Sequence, residues 1–88
     1  MLEEIKNTVS FIQNKISIFP NPSNGKINIQ SENTIDEIRI ANFLGQIIVQ
    51  SNPNTKSVSI NFNYSGIYFV TILSENSIVT KQIVVTGK

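Results

Sequence analysis

The chain has 88 residues, of which 40% are hydrophobic and 15% are charged, and its formal net charge is +1. It contains no Cys, His or Trp, which excludes a disulfide framework, a thiolate nucleophile, a cysteine zinc site and a histidine base. The small, scattered charge attracts neither nucleic acid nor anionic lipid, and the longest apolar run, residues 67–70, is too short for direct membrane insertion.

The apolar residues favour strands over helices. Sixteen Ile and seven Val stand against three Leu and one Ala, and β-branched side chains suit a pleated, half-buried surface. Twelve Asn and ten Ser supply the turn residues that many short strands need. A chain of this size forms one domain around one core.

Residues 1–15 differ in pattern from the rest of the chain. Leu2, Ile5, Val9 and Ile12 recur at spacings of three and four residues, as on one face of a helix. Isolated helices of this length are only marginally stable in water. We therefore predict that residues 1–15 are a linker or loosely packed lead-in rather than a docked helix, and that residues 16–88 form the folded domain.

From residue 16 onward, apolar and polar residues alternate, which is typical of strands with one buried face. Pro20, Pro22 and Gly25 end the first strand in a turn, because proline lacks a donor and glycine accepts a positive φ. Residues 42–45 and 74–77 have the composition of tight hairpin turns, with Gly45 in the left-handed position. The predicted strands are 16–18, 27–30, 38–41, 46–50, 57–62, 67–73 and 78–85.

The connections between these strands are too short for helical crossovers, so neighbouring strands should be antiparallel. About seven short strands at this spacing predict an all-β protein, an immunoglobulin-like antiparallel β-sandwich. A small closed barrel is the alternative. Residues 67–73 are apolar on both faces, which predicts a central strand.

No cluster of side chains predicts catalysis. Asp36 and Glu37 are adjacent on a predicted strand, so their carboxylates point to opposite faces and cannot act as a pair. The segment 32–37 has enough oxygen ligands to be considered for Ca²⁺, but it is better explained as a polar loop before a strand. Tyr64 and Tyr68 flank Gly66, where a corner or core role is favoured over a sugar-binding platform. We predict no catalytic residue, no metal ligand and no cofactor.

Three regions of the sequence, taken in order, resemble one known family. They are ISIFPNPSNG at residues 16–25, IANFLGQ at residues 40–46, and GIYFV at residues 66–70 followed by KQIVV at residues 81–85. Together they resemble the type A C-terminal sorting domain of the type IX secretion system of Bacteroidota, and the resemblance covers residues 16–88. The chain has Asn42 where the family often has Asp, and Gln46 and Gln82 where Lys is common.

The resemblance implies a non-catalytic address module with an immunoglobulin-like fold. Such domains are recognised by the outer-membrane translocon and its shuttle protein, and a cell-surface sortase usually removes them. The cargo is then released or attached to anionic lipopolysaccharide. The expected location is therefore the cell surface or the medium, reached through the periplasm and outer membrane of a Gram-negative bacterium.

The family motifs, carried over residue by residue, mark eleven candidates for recognition by the translocon. They are Pro20, Asn21, Pro22, Gly25, Gly45, Gly66, Tyr68, Lys81, Ile83, Val84 and Val85. We expect the terminal strand to offer unpaired backbone groups that a partner could extend by strand addition, and weak self-association through edge strands stays open. The alternative function is an adhesive or carbohydrate-binding β-sandwich module of a surface protein.

Overall fold

A computed structural model describes residues 15–87, which form seven β-strands. The prediction for the lead-in falls almost entirely on residues 1–14, which lie outside the described residues. The strands are β1 (Ile16–Phe19), β2 (Lys26–Ile35), β3 (Glu37–Ala41), β4 (Ile47–Ser51), β5 (Thr55–Asn61), β6 (Gly66–Ser74) and β7 (Ser77–Val85). In this part of the chain no helix is long and apolar enough to cross a membrane.

The strands form two antiparallel sheets that pack face to face. One sheet has the order β1-β2-β5 and the other has the order β4-β3-β6-β7. This is the arrangement of an immunoglobulin-like sandwich with strands A, B and E in one sheet and C′, C, F and G in the other. The predicted all-β sandwich is confirmed, and the two separate sheets rule out the closed barrel. The predicted central position of β6 is also confirmed, because it pairs with both β3 and β7.

The core lies between the sheets and consists mainly of isoleucine. Alternate residues of β2, β3, β6 and β7 point inward, as the period of two in the sequence requires. The buried apolar residues are Ile27, Ile29, Ile35, Ile38, Ile40, Phe62, Tyr68, Val70, Ile72, Ile83 and Val85. Both sheets therefore depend on residues from the terminal strand β7 for a complete core.

Strand β2 is longer than predicted, and the interpretation of residues 32–37 as a loop is wrong except at Asp36, because residues 32–35 lie in β2 and Glu37 begins β3. Residues up to Ile35 belong to β2, and Ile35 is fully buried opposite Thr55 of β5. The pairing of β2 with β5 shifts register between Gln30 and Ile35. The residues in this interval are polar, so the alternation that indicates a strand is interrupted in the sequence although the strand continues. Asp36 lies between β2 and β3 rather than on a strand.

Candidate functional site

The three matched regions contain four motifs, since the third region has two parts at residues 66–70 and 81–85, and these motifs meet at one end of the sandwich, which we call the motif end. It consists of the β1–β2 turn (residues 20–25), the β3–β4 hairpin (residues 42–46), residues 62–68 and residues 81–86. Gly66 lies opposite Val85, and the Phe62 amide donates to the Gly25 carbonyl at 2.7 Å. The hairpin shares a cleft with residues 65–68. Of the candidates on β6 and β7, Lys81 lies farthest from the tip of this end, opposite Val70.

The β1–β2 turn attaches the chain to the outer edge of β7. The Asn21 side chain donates from Nδ2 to the Gln82 carbonyl and accepts from the Val84 amide, both at 3.1 Å. The Ser23 amide donates to the Val84 carbonyl at 2.8 Å, and the Thr86 amide donates to the Ser23 carbonyl at 2.6 Å. We call this set of contacts the edge clasp. After β1 the chain thus leaves the β1-β2-β5 sheet, and Ser23 pairs in parallel with Val85 of the other sheet.

Ser23 is the centre of the edge clasp, although the sequence gives little sign of its role. It is fully buried, and its Oγ donates to the Lys26 carbonyl at 2.7 Å and accepts from the Gly25 amide at 3.0 Å. A buried hydroxyl is tolerated when its hydrogen bonds are made. A serine two residues before Gly25 in a turn is a weak signal for such a bond, and Ser23 lies in the motif at residues 16–25 without being one of the eleven candidates.

The edge clasp corrects one expectation about the terminal strand. The Gln82 carbonyl, both backbone groups of Val84 and the Thr86 amide are already paired with Asn21 and Ser23, so these groups are not open to strand addition. Backbone groups of an edge strand point outward at every second residue. Along β7, the same alternation directs the outer groups of Ile78 and Thr80 away from β6, beyond the reach of the clasp.

Tyr68 is a buried structural residue. Its hydroxyl donates to the Tyr64 carbonyl at 2.8 Å, and its ring packs on Phe62 with the centroids 4.6 Å apart. A tyrosine near the start of strand F that bonds back to the preceding loop is the tyrosine corner of immunoglobulin-like domains. The favoured corner or core role is confirmed for Tyr68, whereas Tyr64 is exposed.

The β3–β4 hairpin has the predicted geometry. Gly45 has a φ of 88° and donates its amide to the Asn42 carbonyl at 2.9 Å. The Asn42 Oδ1 accepts from the amides of Leu44 and Gln46 at 2.9 and 3.0 Å. The turn is therefore determined by Asn42 and Gly45, and Phe43 and Leu44 at its tip make no hydrogen bond through their side chains.

The candidates differ in how much of them a partner can reach. Ile83, Val85 and Tyr68 point into the core, and Gly25 is buried under the turn. Val84 is half-buried on the outer face of its sheet, and Lys81 is exposed. Pro20, Asn21, Pro22, Gly45 and Gly66 are exposed.

The two charged residues of β3, Glu37 and Arg39, lie away from the motif end. Arg39 donates from Nε to Glu37 Oε2 at 2.7 Å, and Gln50 donates to the same oxygen at 2.8 Å. These hydrogen bonds, that of Arg39 first, lower the pKa of the Glu37 carboxyl below its ordinary value. Within residues 15–87, no group of three or more His, Cys, Asp or Glu side chains is placed to hold a metal ion.

The fold and the site define a small β-sandwich module whose distinctive feature is one end formed by four short motifs. A family model described as the secretion system C-terminal sorting domain matches residues 17–86. The chain belongs to this family, the sorting domains of type IX secretion, and the resemblance seen in the sequence is confirmed. Membership implies secretion across the outer membrane to the cell surface or the extracellular space.

The fold also has a solved relative, whereas no curated protein matches the chain significantly. The chain is similar to part of PorZ, an essential bacterial surface component of the type-IX secretion system of Porphyromonas gingivalis, with a TM-score of 0.62 and 19% identity. The match covers 80% of this chain and 11% of the PorZ chain. At this level of identity the similarity shows the fold alone.

Proposed function

We propose that this domain is a non-catalytic secretion signal that directs an attached cargo protein through the type IX outer-membrane translocon. The family match carries this proposal, because it spans nearly all of the residues that form the sandwich. The proposed partners are the translocon and its outer-membrane shuttle protein, and a cell-surface sortase then removes the domain. The domain is a substrate of that sortase and has no catalytic role of its own.

Recognition of the folded domain requires a surface that stays exposed, and the motif end provides one. Its exposed candidates are Pro20, Asn21, Pro22, Gly45, Gly66 and Lys81. Lys81 is the charged candidate among them, so it can contribute orientation and association rate as well as contact. We propose that Gly25, Tyr68, Ile83 and Val85 act indirectly, by holding the motif end in shape.

The proposal is tested by fusing residues 1–88 to a periplasmically exported reporter in a Bacteroidota host. The fusion should appear in the medium or on the cell surface, whereas the reporter alone should stay in the periplasm. A fusion that stays in the periplasm like the reporter alone would refute the proposal. Mass spectrometry of the secreted reporter tests the sortase step, since removal leaves a product that lacks the domain.

The role of Lys81 has a matched control in the same fusion. Lys81 and Lys56 are both exposed, so neither Lys81→Ala nor Lys56→Ala should lower the melting temperature. Secretion should fall for Lys81→Ala only. Equal secretion of both variants would remove Lys81 from the recognition surface.

One observation favours the alternative of a carbohydrate-binding module strongly enough to test it. Tyr64 is 75% exposed beside a cleft that Phe62 and Tyr68 also line, and an exposed aromatic ring can stack on a sugar. Binding to a glycan array that is lost in Tyr64→Ala would support this second function. Absence of binding to every glycan would count against it.

A further inference from the structure

The β3–β4 hairpin carries apolar side chains that its own fold does not use. Phe43 is 70% exposed and Leu44 is 80% exposed at the tip of the turn. The hydrogen bonds of Asn42 and the positive φ of Gly45 already determine the turn, so polar residues would serve at both tip positions. Exposed large apolar side chains that cluster together mark interaction surfaces.

The apolar surface continues from the tip onto β4. Ile47 and Ile48 at the start of β4 are exposed. A cleft of about 200 Å³ lies between the hairpin tip and residues 65–68. A second cleft of about 210 Å³ lies beside Ile48 and Tyr64, and Tyr68 lines both clefts. Each cleft has room for a single inserted side chain.

The charges of the chain indicate what kind of partner fits this surface. None of the residues that line the two clefts is charged. Apolar hairpins that bind membranes usually add Lys or Arg to attract anionic headgroups, and this hairpin has neither. Interface cores between proteins are depleted in charge and rich in aromatic residues, as this surface is.

We infer that Phe43 and Leu44 form a docking surface for a protein of the secretion apparatus. The partner protein places uncharged apolar side chains in the two adjacent clefts. This inference rests on the proposed function, since it names the part of the domain that the apparatus contacts. It extends recognition from the eleven candidates to two further residues of the hairpin motif, which lie between Asn42 and Gly45. Buried anchors of this type usually supply most of the binding energy of an interface.

The test uses the reporter fusion with the double substitution Phe43→Ser and Leu44→Ser. The control is Ile78→Ser, which removes an equally exposed apolar side chain, 70% exposed, beside the β6–β7 turn at the opposite end. None of these side chains is part of the buried core, so both variants should melt at the temperature of the parent chain. Secretion should fall about tenfold or more for the double variant and stay unchanged for Ile78→Ser.

A competition assay measures docking separately from transport. The free domain, residues 1–88 without cargo, is exported to the periplasm together with the reporter fusion. The parent domain and its Ile78→Ser variant should reduce secretion of the reporter, because they occupy the partner. The Phe43→Ser, Leu44→Ser domain should not reduce it.

Failure of the inference can be separated from failure of the proposed function. If the parent fusion is secreted and the double variant is secreted equally, the docking surface is refuted and the secretion function stands. If the parent fusion is not secreted at all, both are refuted. If the purified parent chain is a dimer and the double variant a monomer, the occupant is a second copy. If the parent chain binds vesicles of phosphatidylcholine and phosphatidylglycerol and the double variant does not, the occupant is lipid. Either of these two results also overturns the inference.

Discussion

Two side chains of the edge clasp make the same number of hydrogen bonds in different surroundings, and this difference can be measured. Ser23→Ala removes two bonds in a buried site and leaves the Gly25 amide and the Lys26 carbonyl without their partner. An unsatisfied buried polar group costs about 1–3 kcal/mol, so we expect a loss of about 2 kcal/mol. Asn21→Ala also removes two bonds, but both are exposed. Water replaces them, and the expected loss is about 0.5–1 kcal/mol.

The two variants and the parent chain, each as residues 1–88, are compared by urea and thermal unfolding, with far-ultraviolet circular dichroism as the signal. For a domain of this size, 1 kcal/mol corresponds to a shift of about 4–8 °C in the melting temperature. Ser23→Ala should therefore lower the melting temperature by about 8–16 °C, and Asn21→Ala by less than about 8 °C. The backbone of Ser23 keeps its pairing with β7 in the variant, so the hydroxyl alone is tested. An Asn21→Ala loss equal to or larger than the Ser23→Ala loss would refute the argument from burial.

Three further predictions concern single residues. Tyr68→Phe should lower the stability by about 1 kcal/mol, measured by urea unfolding, because it removes the bond to the Tyr64 carbonyl and keeps the ring packing on Phe62. At Gly45 an added Cβ meets no atom within 4 Å, so Gly45→Ala should cost about 1 kcal/mol through its positive φ alone, and Gly45→Asn should melt higher than Gly45→Ala. Because the pKa of Glu37 is lowered in the folded domain, its ionised carboxylate stabilises the fold at pH values above the ordinary pKa of the carboxyl. This stabilisation is lost as the pH falls through the lowered pKa. The drop in the urea midpoint between pH 7 and pH 3 should thus be smaller in Glu37→Gln, and an equal drop would contradict this.

The strands were predictable because their signal is local. A period of two in the side chains places each strand and its buried face, as Ile27 and Ile29 of β2 show. The signal fails where the pairing itself is irregular. Residues 31–34 are polar and lie within the register shift against β5, so Ile35 looks isolated in the sequence although it continues the same strand.

The contacts of the candidate site were not predictable in the same way. Asn21 and Val84 are 63 residues apart, and no spacing in the sequence indicates that an asparagine side chain pairs with a strand at the other end of the chain. The motif marked Asn21 as a candidate for recognition, whereas the structure also gives it a bond to the domain's own edge. Ser23 and Phe43 were missed because a buried serine in a turn and an exposed apolar residue in a hairpin are recognised only from their burial.

The position of the terminal motif limits how a partner can bind the folded domain. Ile83 and Val85 face the core, and the edge clasp occupies the Gln82 carbonyl, both backbone groups of Val84 and the Thr86 amide. A partner that binds the intact sandwich must therefore contact Lys81, Val84 and the rest of the motif end. A partner that binds Ile83 and Val85 directly must first detach β7. Ser23→Ala distinguishes these routes, because it weakens the fold and Ser23 is not one of the eleven recognition candidates. Binding to the folded domain makes Ser23→Ala less secreted than the parent chain, whereas a need to open β7 makes it at least as well secreted.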